Sequence, residues 1–169
     1  MESYEVKRKG GRPINISLYV LRIRPEKLYF VIPPEYDLPR RELHLLANVR
    51  SHLSRHRPKD ASFMDAETAR DYFQHFGKQV ITGFVKEHHF NIGADRIEYL
   101  ADIFARYTAG FGILEDILLD SRIQDIYVNA PVANNPLHLV VEGEEYTSNV
   151  YLSVGDIDAL ASRFRTLSG

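Results

Sequence analysis

The chain has no cysteine, which removes disulfides, thiolate metal sites and thiol nucleophiles together and fits a reducing compartment, with the cytoplasm as the expectation. It also lacks any apolar run near the ~20 residues that span a bilayer. Met1 to Arg12 is polar and basic, without the apolar stretch of a signal peptide, so a soluble chain is expected. An excess of one charge is missing too. With 21 basic and 23 acidic residues the formal net charge is −2, which gives no molecule-wide footprint for nucleic acid or anionic membrane, and no nucleic-acid partner is expected.

A phosphate loop is absent as well. That motif needs glycines that let backbone N–H groups wrap phosphate, then a lysine for charge and a hydroxyl for Mg²⁺. Only Gly77-Lys78 approaches it; Gln79 follows in place of Ser or Thr, and the pair lies inside a helical pattern. There is no G-x-S-x-G elbow, and nothing in the sequence marks the acidic pairs Asp116/Asp120 and Glu144/Glu145 as buried. Without a complete catalytic set, the chain reads as an accessory domain and not as a self-sufficient enzyme.

What is present suffices for folding: 169 residues, 44% hydrophobic and 11% aromatic, can bury one good core or two small ones. Residues 1–13 mix charge with Gly10-Gly11 and Pro13 and read as a flexible arm. Ile14 to Ile32 is β-branched and aromatic, broken once near Arg24-Pro25, which predicts a strand pair. Helical spacing follows in three runs. Leu43, Leu46, Val49 and Leu53 mark the first, about Pro39 to His56; Phe73, Phe76 and Phe84 mark the second; Ile97, Leu100, Phe104 and Tyr107 mark the third, with Asp95 and Glu98 as a capping box. Past Gly110-Phe111-Gly112 come a short helical turn, three strand-like runs and a final helix capped by Ser153 and Asp156, with Phe164 facing inward. The order predicts an α+β chain: an N-terminal strand pair, a helical bundle-like block, and a small α/β, PAS-like subdomain with a short mixed or antiparallel sheet. Its expected divisions are 14–109 for strands plus helices and 110–169 for the last subdomain.

Candidate sites are few. His44, His52 and His56 fall within about 120° on the first helix by the 3.6-residue period, but arginines interleave and a solvated face is the simpler account; no metal site is expected. The same helix region carries Arg40, Arg41, Arg50, Arg55 and Arg57, a basic edge for an acidic partner surface, whose plainer explanation is solubility. Tyr127, Asn129 and His138 sit on or beside neighbouring predicted strands, and Asn129 is expected to bond backbone in the turn before Pro131.

The segment GFGILEDILLDSRIQDIYVNAP, Gly110 to Pro131, resembles the N-terminal region of type II/IV secretion ATPases, in their archaeal branch. The shared pattern is carried by Gly110, Gly112, Leu114, Glu115, Leu118, Asp120, Ile123, Asp125, Ile126, Val128, Asn129 and Pro131, with Ala130 where glycine is usual. Asn149-Val150 and a capped helix ending at Ser168-Gly169 extend it, with Ser148 where Thr is common. The resemblance implies a regulatory and oligomerisation domain that packs on its own C-terminal RecA-like motor domain, joins neighbouring subunits of a homohexamer and docks to a membrane platform protein. It implies no cofactor in this segment, with ATP and Mg²⁺ held by the motor of the parent protein, and a cytoplasmic location peripheral to the cytoplasmic membrane through these partners. Arg163 and Arg165, on the last helix, are then the expected interdomain or nucleotide-edge contacts. The alternative is a free-standing adaptor that holds an acidic protein or nucleic acid through the basic helix at 39–56.

Overall fold

The alternation in INISLYV puts Ile14, Ile16 and Leu18 on one face of a strand, and all of them are buried. In the computed structural model, which describes residues 1–8, 12–21, 25–55 and 66–168, this is strand β2 (Ile14–Val20). It pairs antiparallel with β3 (Lys27–Ile32), whose Tyr29 and Val31 are fully buried, so the expected strand pair is present.

The expected flexible arm is corrected in part. Glu2–Val6 forms a strand, β1, paired antiparallel with β2 from Glu2↔Leu18 to Val6↔Ile14. Its charges hid the alternation, because Glu2, Tyr4, Val6 and Arg8 share one face by the period of two. Gly10 and Gly11 lie outside the described residues.

On the C-terminal side, β4 (Ile123–Val128), β5 (Pro136–Val141) and β6 (Glu144–Tyr151) form an antiparallel meander. β6 also pairs parallel with β3, which fuses all strands into one six-stranded mixed sheet of order β1-β2-β3-β6-β5-β4. The parallel ladder is short, Leu28↔Thr147 and Tyr29↔Ser148. Asn149 lengthens it: its Oδ1 accepts from Val31 N–H and its Nδ2 donates to the Val31 carbonyl, both at 2.9 Å, as a third strand residue's backbone would do.

The division of the chain therefore differs from the expected 14–109 and 110–169. One compact unit comprises Met1–Tyr36 with Ile113–Gly169, the other Asp37–Gly112. The N-terminal strands group with the C-terminal ones because β6 pairs with the free edge of β3. In this sheet unit, helix α4 (Ile113–Leu118) contributes the buried Ile117. The final helix α5 (Val154–Ser168) has the expected cap: Ser153 N–H donates to Asp156 at 2.8 Å, and Asp156 N–H donates to Ser153 Oγ at 3.1 Å.

The helical unit consists of α1 (Arg40–Arg55), α2 (Ala66–Glu87) and α3 (Ala94–Thr108) around a core that includes Leu45, Val49, Phe73, Ile81, Leu100 and Phe104. Leu43, expected inside, is 49% exposed, and Leu45 with Glu42 faces in beside Val49. Gly77 permits the close approach of α2 to α3, since a Cβ there would stand 2.9 Å from the Phe104 ring. The predicted Asp95/Glu98 box does not form: α3 starts after Gly93 without a side-chain cap, and Glu98 instead accepts from Gln74 and Lys78. Gly112 adopts φ +57° against the Tyr107 ring, a conformation only glycine takes freely. Among the described residues no helix is long and apolar enough to cross a membrane.

Candidate functional site

The sheet unit contains a buried charged cluster that sequence reading missed. Arg8, 9% exposed, is the hub. Its guanidinium grips Glu35 through Nη1 at 2.8 Å and Nη2 at 3.0 Å, and grips Asp116 through Nε at 2.8 Å and through Nη2. Glu35 comes from a 3-10 turn after β3 and Asp116 from α4, both nearly excluded from solvent. Two forked pairs on one guanidinium are the geometry that a planar five-donor group matches best. One turn further on, Asp120 accepts from Tyr4 at 2.5 Å, from Tyr29 at 2.9 Å and from the Arg122 backbone at 3.0 Å. Burial first, and then the charge and hydrogen bonding of Asp120, push both phenols well above their ordinary range.

This cluster is closed to substrate. A general base needs a lone pair facing the reactant, whereas these carboxylates already accept from Arg8, two tyrosines and backbone. The arrangement therefore ties the N-terminal segment to the rest of the sheet unit. Asp116 and Asp120, which carried no sign of burial in the sequence, are 1% and 4% exposed. Asp116 lies on α4 and Asp120 in the turn after it, and no local feature of the sequence marks either as buried.

The other residues of the resemblance also take structural posts. Gly110 N–H donates to the Ala105 carbonyl at 3.4 Å, in the turn that closes at Gly112. Asp125 accepts from the Ile126 backbone, Glu115 is half-buried on α4, and Asn149 joins β3 to β6 as described. Asn129 does not hold the turn before Pro131. It is exposed, and the bond expected of it is made by Asn135, whose Nδ2 donates to the Pro131 carbonyl at 3.1 Å. Tyr127 and His138 stack with ring centroids 5.2 Å apart, and His138 reaches Thr147 at 3.4 Å.

A groove of about 420 Å³ runs along the edge strand β4, walled by Leu114 and Leu118 of α4 and by Ile157, Leu160 and Phe164 of α5. Phe164 was expected inward, yet it is 54% exposed at the groove's lip. Beside it Arg163 is half-buried, and burial pulls its guanidinium below the ordinary arginine range against the opposing pull of Glu115 and Asp156. Arg165 is exposed and donates to the Ala161 carbonyl at 3.2 Å. The groove's lining is mainly apolar, with Gln124, Asp125 and Tyr127 as polar members, which suits a binding surface.

In the helical unit Arg40, Arg41, Arg50 and Arg55 are all exposed, while Arg57 lies outside the described residues. By the helical period Arg40, Arg41 and Arg55 span about 100° and Arg50 lies about 80° to the other side, so they surround half of α1 and do not form one edge. His44 and His52 are exposed, and His56 lies outside the described residues. Among the described residues no group of three metal-ligating side chains converges. Compared with family models, curated proteins and solved structures, the chain matches none.

Proposed function

We propose that the chain is the N-terminal regulatory and oligomerisation part of a hexameric secretion-type motor ATPase that powers protein secretion or the assembly of a pilus or archaellum. The observation that carries this reading is the pattern from Gly110 to Pro131, continued at Asn149. Two of those residues serve the frame of the sheet unit, Asp120 through Tyr4 and Tyr29 and Asn149 through Val31. In this reading ATP and Mg²⁺ are held by a RecA-like motor domain of the parent protein. The groove along β4 and α5 offers an apolar surface of the kind that packs against such a motor or a neighbouring subunit, and Arg163 and Arg165 flank its Phe164 in sequence. A membrane platform protein is the remaining proposed partner, and the assembly works at the cytoplasmic face.

The coding sequence after codon 169 tests the reading. A G-x-x-x-x-G-K-[ST] loop between a strand and a helix, followed by an acidic Mg²⁺-binding motif, is expected there. A stop codon in that position would overturn the proposal and favour the free-standing adaptor.

A further inference from the structure

The first eight residues are attached to the sheet unit in an unusual way. β1 pairs with β2 alone, at the sheet's edge, and of its side chains only Val6 is a buried aliphatic. β2, by contrast, buries Ile14, Ile16 and Leu18. The segment's other side-chain ties are polar, on both faces: the Ser3 and Ser17 hydroxyls meet at 3.0 Å on one, and on the other the ties run in order. Glu2 accepts from Arg122 at 2.7 Å, Tyr4 donates to Asp120, and Arg8 clasps Asp116 and Glu35. The partners descend from 122 through 120 to 116 as the segment ascends from 2 through 4 to 8, so the segment lies antiparallel across the α4–β4 connection like a zip.

We propose that residues 1–8 are a latch, that Glu35 and Asp116 form its guanidinium receptor with Arg8 as the resident key, and that the latch opens and closes as one unit while the remaining five strands stay paired. Of the segment's own apolar side chains, opening uncovers Val6 and the half-buried ring of Tyr4. The polar ties exchange protein partners for water, and a buried ion pair is nearly neutral when both partners regain hydration together. Removing Arg8 alone is different, because it strands two carboxylates in a dry pocket. The ladder pairs and the side-chain ties share one short segment, so they are lost together.

Amide hydrogen exchange on the intact chain, resolved by strand and repeated in low denaturant, tests this directly. The β1 amides are expected to exchange as a group and at least tenfold faster than those of β5 and β6. Arg8→Lys, which keeps the charge and loses the fork, should speed β1 by a further tenfold or so and leave β5 and β6 unchanged. In Arg8→Ala, millimolar methylguanidinium should restore much of the lost β1 protection, and methylammonium should not. If Arg8→Ala does not fold, the exchange of the unmodified chain decides alone. Equal exchange of β1, β5 and β6, equal acceleration of all three in Arg8→Lys, or equal rescue by the two cations would overturn the latch.

Discussion

In the sheet unit both partners of the central ion pairs are excluded from water: the side chains of Arg8, Glu35 and Asp116 are 4%, 4% and 1% exposed. Among the described residues of the helical unit, each buried charge has a partner that reaches solvent. Glu42 is paired with Arg96, 30% exposed, and Arg106 with Asp102, 33% exposed. The helical interior is otherwise aliphatic and aromatic, with Phe73 and Phe76 both near Phe104. Both units have an apolar core, and the sheet unit adds to its own a fully enclosed ion cluster. Directional bonds fix one arrangement and tolerate no truncation; packing tolerates small exchanges and resists added bulk.

The largest effect should follow from breaking the buried cluster. Asp116→Ala leaves half of the Arg8 fork unpaired in a dry site and is expected to cost about 3–5 kcal/mol in chemical denaturation. Glu42→Ala frees Arg96 into water and should cost about 1–3 kcal/mol. Equal costs would erase the distinction between the two units.

Asn149→Ala comes next. It removes both partners of the Val31 backbone where the parallel ladder is only two residue pairs long, for an expected loss of about 1–3 kcal/mol. Exchange at β3 should rise more than at β5, and a uniform rise would show that Asn149 does not join the two halves of the sheet.

The helical unit should respond to volume. Gly77→Ala places a methyl 2.9 Å from the Phe104 ring and is expected to destabilise by about 1–2 kcal/mol despite better helix propensity. Gly83→Ala, on the same helix with nothing within 4 Å, should instead stabilise by up to about 1 kcal/mol. The same sign for both substitutions would refute the packing account of Gly77.

A smaller effect is expected in alkali. Tyr4 and Tyr29 keep their protons in the folded state beyond the range in which unfolded tyrosines ionise, about pH 10. Above that pH the unfolded chain has lost protons that the folded chain retains, so stability is complete below about pH 10 and falls as pH rises further. Denaturation midpoints followed from about pH 8 to 11 should decline less steeply in Tyr29→Phe. An unchanged slope would remove Tyr29 as a source.

Much of the fold was legible in the sequence because period and punctuation carry it. The β2–β3 alternation, the three helical runs and the Ser153/Asp156 cap all appear where spacing puts them. β1 was hidden because its face pattern is written in Glu2, Tyr4 and Arg8, residue types that read as solvent-facing until their partners are known. Three of those partners lie more than a hundred residues away, at 116, 120 and 122, and the fourth, Glu35, 27 residues away, so a local window contains no trace of them. The same distance concealed the role of Asn149, whose bond to Val31 decides which strands share a sheet. The capping box at Asp95 failed for a related reason: Glu98 has Gln74 and Lys78 as tertiary partners, and these outcompete a local bond.

The buried carboxylates of the sheet unit are framework, and under the proposed function nucleotide chemistry belongs to a separate motor domain. MgATP hydrolysis by the purified chain tests it most directly, measured beside Asp116→Asn and Asp120→Asn. The account predicts no turnover above the buffer rate in any of the three proteins, with the substitutions visible only as lost stability. Steady turnover by the unmodified chain that disappears in either variant would contradict it and place a catalytic role in the cluster.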